Sequence, residues 1–192
     1  GDGSGTWGTT TNTNLELIGE ALGFGAEATF DTDANKTTTV ANGASDPARG
    51  MYFKVTSTVT DGLTATRQLT IAPDTINRLM FIENATTGGE SITIKQGSGA
   101  GAAVTIPNGD TKAVILPGSG SGSIVLDAFA SLSVVDLKVQ DDLTVTDDAA
   151  IGGLATVGGT LGVTGIATFT DDIIIGNGKT IGSASDVDAM SI

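Results

Sequence analysis

Three stretches of this chain carry residue types that could do chemistry. Gly176-Asn177-Gly178-Lys179-Thr180 is spelled like the end of a phosphate-binding loop, in which backbone amides and a lysine cradle phosphate. That pattern needs a glycine five residues before Gly178, where Ile173 stands, and a helix after it, where an apolar repeat runs on instead. Asp31, Asp33 and Asn35 open like a calcium loop. Its sixth position, however, is Lys36 rather than Gly, and its twelfth is Asn42 rather than Glu. The adjacent carboxylates Asp141/Asp142, Asp147/Asp148 and Asp171/Asp172 could attract a divalent cation, but on turns such pairs point into water. No carboxylates cluster outside turns as glycoside cleavage would require. The expectation is no catalytic residue, no metal site and no cofactor.

Composition narrows the chemistry further. The 192 residues include no His and no Cys. That excludes zinc-thiolate sites, disulfides, thiol nucleophiles, the Ser-His-Asp triad and the histidine-dependent acyltransferases built on six-residue repeats. Nine Lys and Arg against 22 Asp and Glu leave a net charge of −13, so no net basic stripe is expected and no nucleic-acid partner. No apolar run approaches the roughly 18 residues of a membrane span, so no membrane insertion is expected. Asn35-Lys36-Thr37 and Asn84-Ala85-Thr86 are glycosylation sequons by spelling alone. The Gly-Ser runs over 97–101 and 118–122 read as loops rather than dinucleotide-binding turns.

What positions these residues is mostly strand and turn. The segment 1–14 reads as an irregular arm whose Trp7 plugs an apolar hollow. Thr13 and Glu16 fit a capping box, and Leu15, Ile18 and Leu22 recur on one face, predicting a short helix over 14–22 that Gly23 and Gly25 stop. From Ala28 the pattern is β: strands are expected over 51–58, 67–71, 78–84, 90–96, 103–106, 112–116 and 124–126. Ala85-Thr86-Thr87-Gly88-Gly89 reads as the turn of a hairpin joining 78–84 to 90–96. The fold expected for 15–132 is a small β-sandwich or barrel-like domain carrying one short helix.

The strongest regularity follows Leu132. Val139, Val145, Ile151, Val157, Val163, Phe169, Ile175, Ile181 and Val187 are spaced six apart. Nine such hits in one register arise by chance about once in a million trials. A second apolar residue sits two places before most of them (Leu137, Leu143, Ala149, Ala155, Leu161, Ala167 and Ile173), and turn formers such as Asp141, Gly153 and Asn177 sit two places after. Each hexad thus supplies a short strand and a corner, giving a β-helical stem over 133–192. Coiled within one chain, three hexads to a turn, the repeat is a stub ~14 Å tall with open edges. Intertwined from three chains it extends ~43 Å, and each register residue meets its copies near the axis. The trimer is favoured, with Val139 to Ile181 as its core.

GTWGTTTNTN at 5–14, ANGASDPAR at 41–49 and IENATTGGESITIKQGSGAGAAVTIPNG at 82–109 resemble the N-terminal region of tail-fibre proteins of tailed bacteriophages, particularly those of marine bacteria and cyanobacteria. DLTVTDDAAIGG at 142–153 resembles the repeats that begin their shafts. The resemblance covers most of the chain. It implies a virion component located in the tail, a structural protein and no enzyme. Its N-terminal domain would bind other tail proteins (tail tube, adaptor or baseplate), and its trimeric stem would carry a receptor-binding tip outside this chain. It also implies a further segment before GTWG. Trp7, Leu15, Ile18 and Leu22 are the expected tail-anchoring residues. The competing expectations are a tailspike whose distal region degrades host polysaccharide, and the stem of a bacterial surface adhesin.

Overall fold

The computed structural model describes residues 5–98, 101–177, 179–182 and 190–191. It divides into two compact units, Gly1–Leu137 and Lys138–Ile192.

In the first unit an α-helix, α1 (Trp7–Ala21), leads into nine strands. These are β1 (Phe24–Phe30), β2 (Lys36–Thr39), β3 (Tyr52–Ser57), β4 (Arg67–Ala72), β5 (Arg78–Asn84), β6 (Ile92–Gln96), β7 (Val104–Ile106), β8 (Thr111–Leu116) and β9 (Leu126–Asp127). They form two mixed sheets, in the orders β1-β3-β5-β8-β9 and β2-β4-β6-β7. Odd and even strands alternate between the sheets: β1, β3 and β5 run parallel in one, β2, β4 and β6 parallel in the other. The chain therefore makes three successive turns, each adding one strand to each sheet. Antiparallel β7, β8 and β9 then finish the edges.

Alternation along the strands explains the core. Phe53 and Val55, Leu69 and Ile71, Met80 and Ile82, Ile92 and Ile94 are all fully buried in one cluster drawn from both sheets. Asn84 lies among them with its amide satisfied. Its Nδ2 donates to the carbonyls of Glu90 and Ile106, each at 3.0 Å, and its Oδ1 accepts from the Thr86 hydroxyl at 2.7 Å. Buried Gln96 makes a similar tie, donating to Ile76 O at 2.8 Å and accepting from Gly118 N at 3.0 Å.

The sheets are open, and no closed barrel forms. The expected hairpin between 78–84 and 90–96 does not form either, since β5 and β6 belong to opposite sheets. The Thr87-Gly88 corner stacks instead on the Gly62-Leu63 corner of the previous turn, and Leu63 N donates to Thr87 O at 2.8 Å. Both glycines have positive φ. A Cβ on Gly62 would lie 2.5 Å from Gly88 N, and one on Gly88 2.2 Å from Leu63 O. Ile124–Leu126 is likewise displaced, the strand there being Leu126–Asp127.

The helix also departs from expectation. It begins at Trp7, so within the described residues the arm is not irregular beyond Thr6, while 1–4 lie outside them. Thr13 and Glu16 sit mid-helix, and Thr6 at the N-cap makes no side-chain capping bond. The four-residue spacing that places Leu15 on one face continues back through Thr11 to Trp7. The Thr10 hydroxyl bonds back to Thr6 O at 3.2 Å, satisfying a helical carbonyl, so nothing local stops the helix at Thr13.

In the second unit the backbone bends at 140–141, 146–147, 152–153, 158–159, 164–165 and 170–171, once every six residues. The stretches between bends carry no regular secondary structure and pair in no ladder among the described residues. The strands described in this unit are β10 (Thr180–Ile181) and β11 (Met190–Ser191), an antiparallel pair. Val187 lies outside the described residues.

Candidate functional site

The hexad ridge is the most regular surface of the chain. Bends fall on the corners Asp141, Asp147, Gly153, Gly159, Gly165 and Asp171, each followed by a four-residue stretch. Within these stretches the register residues Val139, Val145, Ile151, Val157, Val163, Phe169 and Ile181 are 40–65% exposed. Ile175 is half-buried. Leu154, Ile166 and Ile174, apolar but outside the register, are 91–94% exposed. The bends thus turn one row of side chains partly out of water. Among the described residues of the second unit nothing covers that row. A Cβ at Gly152, Gly153, Gly158, Gly159, Gly162 or Gly165 would meet no atom within 4 Å. So long an unpartnered apolar row marks an interaction surface.

The residues expected to anchor the first unit are brought onto one helix, and they too are uncovered. Trp7, Leu15, Ile18 and Leu22 are 58–71% exposed, and no residue of α1 is buried. Trp7 therefore fills no hollow in this chain. The irregular arm that would have folded it inward is helical, and the helix holds it outward.

The helix is fastened at its C-terminal end alone, through residues that the sequence pattern did not single out. Glu20 Oε1 accepts from Asp46 N at 2.6 Å and from the Ser45 hydroxyl at 3.0 Å, and Arg49 lies 3.6 Å from Oε2. Asp46 caps the 3-10 turn Pro47–Arg49 by accepting from Ala48 N at 2.9 Å, and it also accepts from Ala41 N at 2.9 Å. Arg49 donates to the carbonyls of Ala41 and Ala44. Arg78 donates to those of Ala48 and Arg49, and burial lowers the pKa of its guanidinium. The ANGASDPAR stretch is thus a cinched loop that holds the helix to β1. Its signal was the Asp-Pro-Ala-Arg order, an N-cap followed by Pro at the first helical position.

The stretches that imitate reactive sites are structural ties. Arg67 Nε donates to Asp33 Oδ1 at 2.7 Å, and the Thr64 hydroxyl also donates to this carboxylate. The Arg67 hydrogen bond, then that of Thr64, holds the Asp33 carboxyl far below the usual range. Asp31 pairs with Lys36, whose hydrogen bond and charge lower its pKa. Asn35 accepts from Gln68 N at 2.8 Å. All three supposed calcium ligands therefore tie the β1–β2 corner to their own neighbours.

In the sequon at Asn84 the asparagine is fully buried. Lys179 N closes a turn on Gly176 O at 3.1 Å, and strand follows rather than helix; Gly178 lies outside the described residues. An open groove of about 400 Å³ passes over Thr37, Thr70, Asp74 and Lys95. It is walled by strand residues and by the loop residues Pro73, Asp74, Gly97 and Ser98, and is no apolar cleft with convergent polar groups. Among the described residues no His, Cys, Asp and Glu side chains gather as metal ligands, and no helix is long and apolar enough to cross a membrane.

No protein-family model, curated protein or solved structure matches this chain.

Proposed function

We propose that this chain is a structural component of a phage tail fibre: a β-rich anchoring unit at the tail followed by the start of a shaft. Three copies intertwine along the hexads, and the fibre carries a receptor-binding tip beyond residue 192. The observation that carries the proposal is the coincidence of two independent periodicities. The backbone bends every six residues, and the register residues are 40–65% exposed against 91–94% for Leu154, Ile166 and Ile174, with no covering partner among the described residues of this unit. A rod of sister chains would cover that row and satisfy the backbone between bends at the same time. A coil within one chain would instead require strand pairing between hexads three apart, and no such pairing is among the strands described over 138–177.

Sedimentation equilibrium tests the assembly: the expected mass is three times 19.1 kDa. A monomer across the micromolar range overturns it. Antibody raised against the chain tests the location by electron microscopy of the particles and cells of a producing culture. Label on phage tails is expected, whereas label on the bacterial envelope would favour an adhesin stem and overturn the tail assignment.

A further inference from the structure

The first unit carries two apolar faces that its own described residues leave uncovered. One is the α1 stripe of Trp7, Leu15, Ile18 and Leu22. The other is the outer face of the five-stranded sheet. There Phe24, Tyr52 and Phe81 stand side by side across β1, β3 and β5, with the Phe24 and Tyr52 rings stacked at 5.6 Å. Leu79, Ile115 and Leu126 form a second row across β5, β8 and β9. Phe24, Leu79, Ile115 and Leu126 are 36–65% exposed. The outer face of the four-stranded sheet contrasts with this: its rows are Thr37, Thr70 and Lys95, then Gln68, Thr93 and Thr105. The five-stranded sheet's outer face is polar at one end, where Lys54 pairs with Glu83 at 2.9 Å and the Tyr52 hydroxyl donates to Glu83 at 3.0 Å, and apolar over the two rows named above.

We propose that α1 of one copy packs on the outer face of the five-stranded sheet of the next copy, head to tail, closing a ring at the N-terminal end of the assembly. A helix laid on a sheet is the ordinary way for both elements to bury an apolar face. The dimensions agree. A 15-residue helix is ~22 Å long, and five strands at ~4.8 Å spacing are ~19 Å across. The exposed parts of the eight side chains amount to about 900 Å² if each apolar residue fully exposes about 200 Å². That approaches the roughly 1,000 Å² expected of a specific interface, and each chain would take part in two such contacts.

The helix cannot reach its own sheet face without breaking its fastening. Glu20 is bound to Ser45, Asp46 and Arg49, and Gly23 alone separates the helix end at Leu22 from β1. A free helix of this length is marginal in water, so its apolar stripe needs a partner. The neighbour's sheet offers one of matching size and character. A contact of this kind uses different surfaces on the two partners, and such contacts close into a ring where the rotation between copies closes, as a three-fold stem would impose. That the ring has three members rests on the trimer proposed above; the contact itself does not. On this assignment the stripe expected to meet a tail protein is consumed within the assembly, which leaves the hydroxyl-rich sheet free for other partners.

The chain has no cysteine, so introduced pairs report the contact directly. Ile18→Cys combined with Leu79→Cys should give, under mild oxidation, disulfide-linked dimers and trimers on a non-reducing gel. Ile18→Cys combined with Thr70→Cys, aimed at the opposite sheet, should remain monomeric on the same gel. The positions in the expected pair are exposed, and an unchanged melting curve under reducing conditions verifies the fold. A disulfide within one chain would overturn the proposal, and so would self-linking of the Ile18→Cys variant, which would mean helix against helix. Absence of cross-links in a protein that sediments as a trimer would overturn this contact and leave the hexad assembly standing. A sedimenting monomer without cross-links would overturn both, and cross-linked pairs in a protein that does not form trimers would keep the contact and overturn the hexad assembly.

Discussion

Replacing one register valine of the stem with aspartate separates the proposed rod from an accidental periodicity. Val157 lies on the six-residue register and is 52% exposed in the single chain; Leu154, three residues earlier, lies off it and is 91% exposed. If sister chains cover what remains of Val157, each copy loses about 75 Å² of apolar contact on substitution, or about 2 kcal/mol at 25 cal/mol/Å². Three copies share each level, so the trimer loses about 6 kcal/mol, before any cost of bringing three carboxylates together. A loss of about 6 kcal/mol lowers the association constant by about four orders of magnitude. Because three chains dissociate together, the midpoint concentration varies as the square root of that constant and should rise about 100-fold. The assay is a dilution series followed by mass photometry, in enough urea to bring the parent's midpoint into range. Leu154→Asp, which introduces the same charge three residues away, should leave the midpoint within about twofold. Equal shifts from both substitutions would refute the register argument, because the effect would then be one of charge and not of position.

Two further predictions concern the first unit. Asn84→Ala removes a buried amide that donates to Glu90 O and Ile106 O and accepts from Thr86. With about 1–3 kcal/mol lost for each buried group left unpaired, unfolding in urea should be easier by about 3 kcal/mol, and a loss below about 1 kcal/mol would contradict the stitching role. Acid should destabilise this unit. Hydrogen bonds from Arg67, Lys36, Lys54 and Lys112 hold Asp33, Asp31, Glu83 and Asp127 below their ordinary pKa in the folded state. Their contribution is therefore complete above about pH 4.5 and is lost as the pH falls through the lowered folded values. Melting by circular dichroism should be flat from pH 8 to 5 and fall below about pH 4.5, with Asp33→Asn reducing the slope. A melting temperature that rises in acid would mean that relief of the net charge of −13 outweighs these pairs.

Much of the strand content was legible because alternation is a local signal. The stretch 78–84 is a strand from end to end, and 67–71 and 112–116 are strands with ends displaced by one residue. Which strands pair was not legible. Met80 and Ile82 would alternate in the same way whether β6 lay beside β5 or across the core from it, since both arrangements bury every second residue. The distinction lies at the corner, where Gly62 and Gly88 must touch between successive turns, and that contact joins residues 26 apart. The helix start was misplaced for a related reason. A capping box is worth about 1 kcal/mol, and its use depends on whether the preceding residues have somewhere better to go. Here residues 7–12 find nothing to pack against and continue the helix.

The same consideration explains why one chain suffices for the first unit and, on the proposed assembly, cannot suffice for the second. In the first unit Phe24 lies beside Tyr52, 28 residues on, and Tyr52 beside Phe81, 29 residues on. A turn of that length is long enough to cross from one sheet to the other and return, so each turn brings both walls of its own core. On that assembly a hexad supplies one short strand between two bends, with its register side chains turned to the axis. One such strand has nothing opposite it until other strands arrive at the same level. Supplying them from one chain takes three hexads per level and shortens the rod threefold, whereas sister chains keep its full length. On the proposed assembly the length of the repeat decides where the missing walls come from. The residues whose spacing is most regular, Val139, Val145, Ile151, Val157, Val163, Phe169 and Ile181, are left 40–65% exposed in the single chain, the part that sister chains would cover.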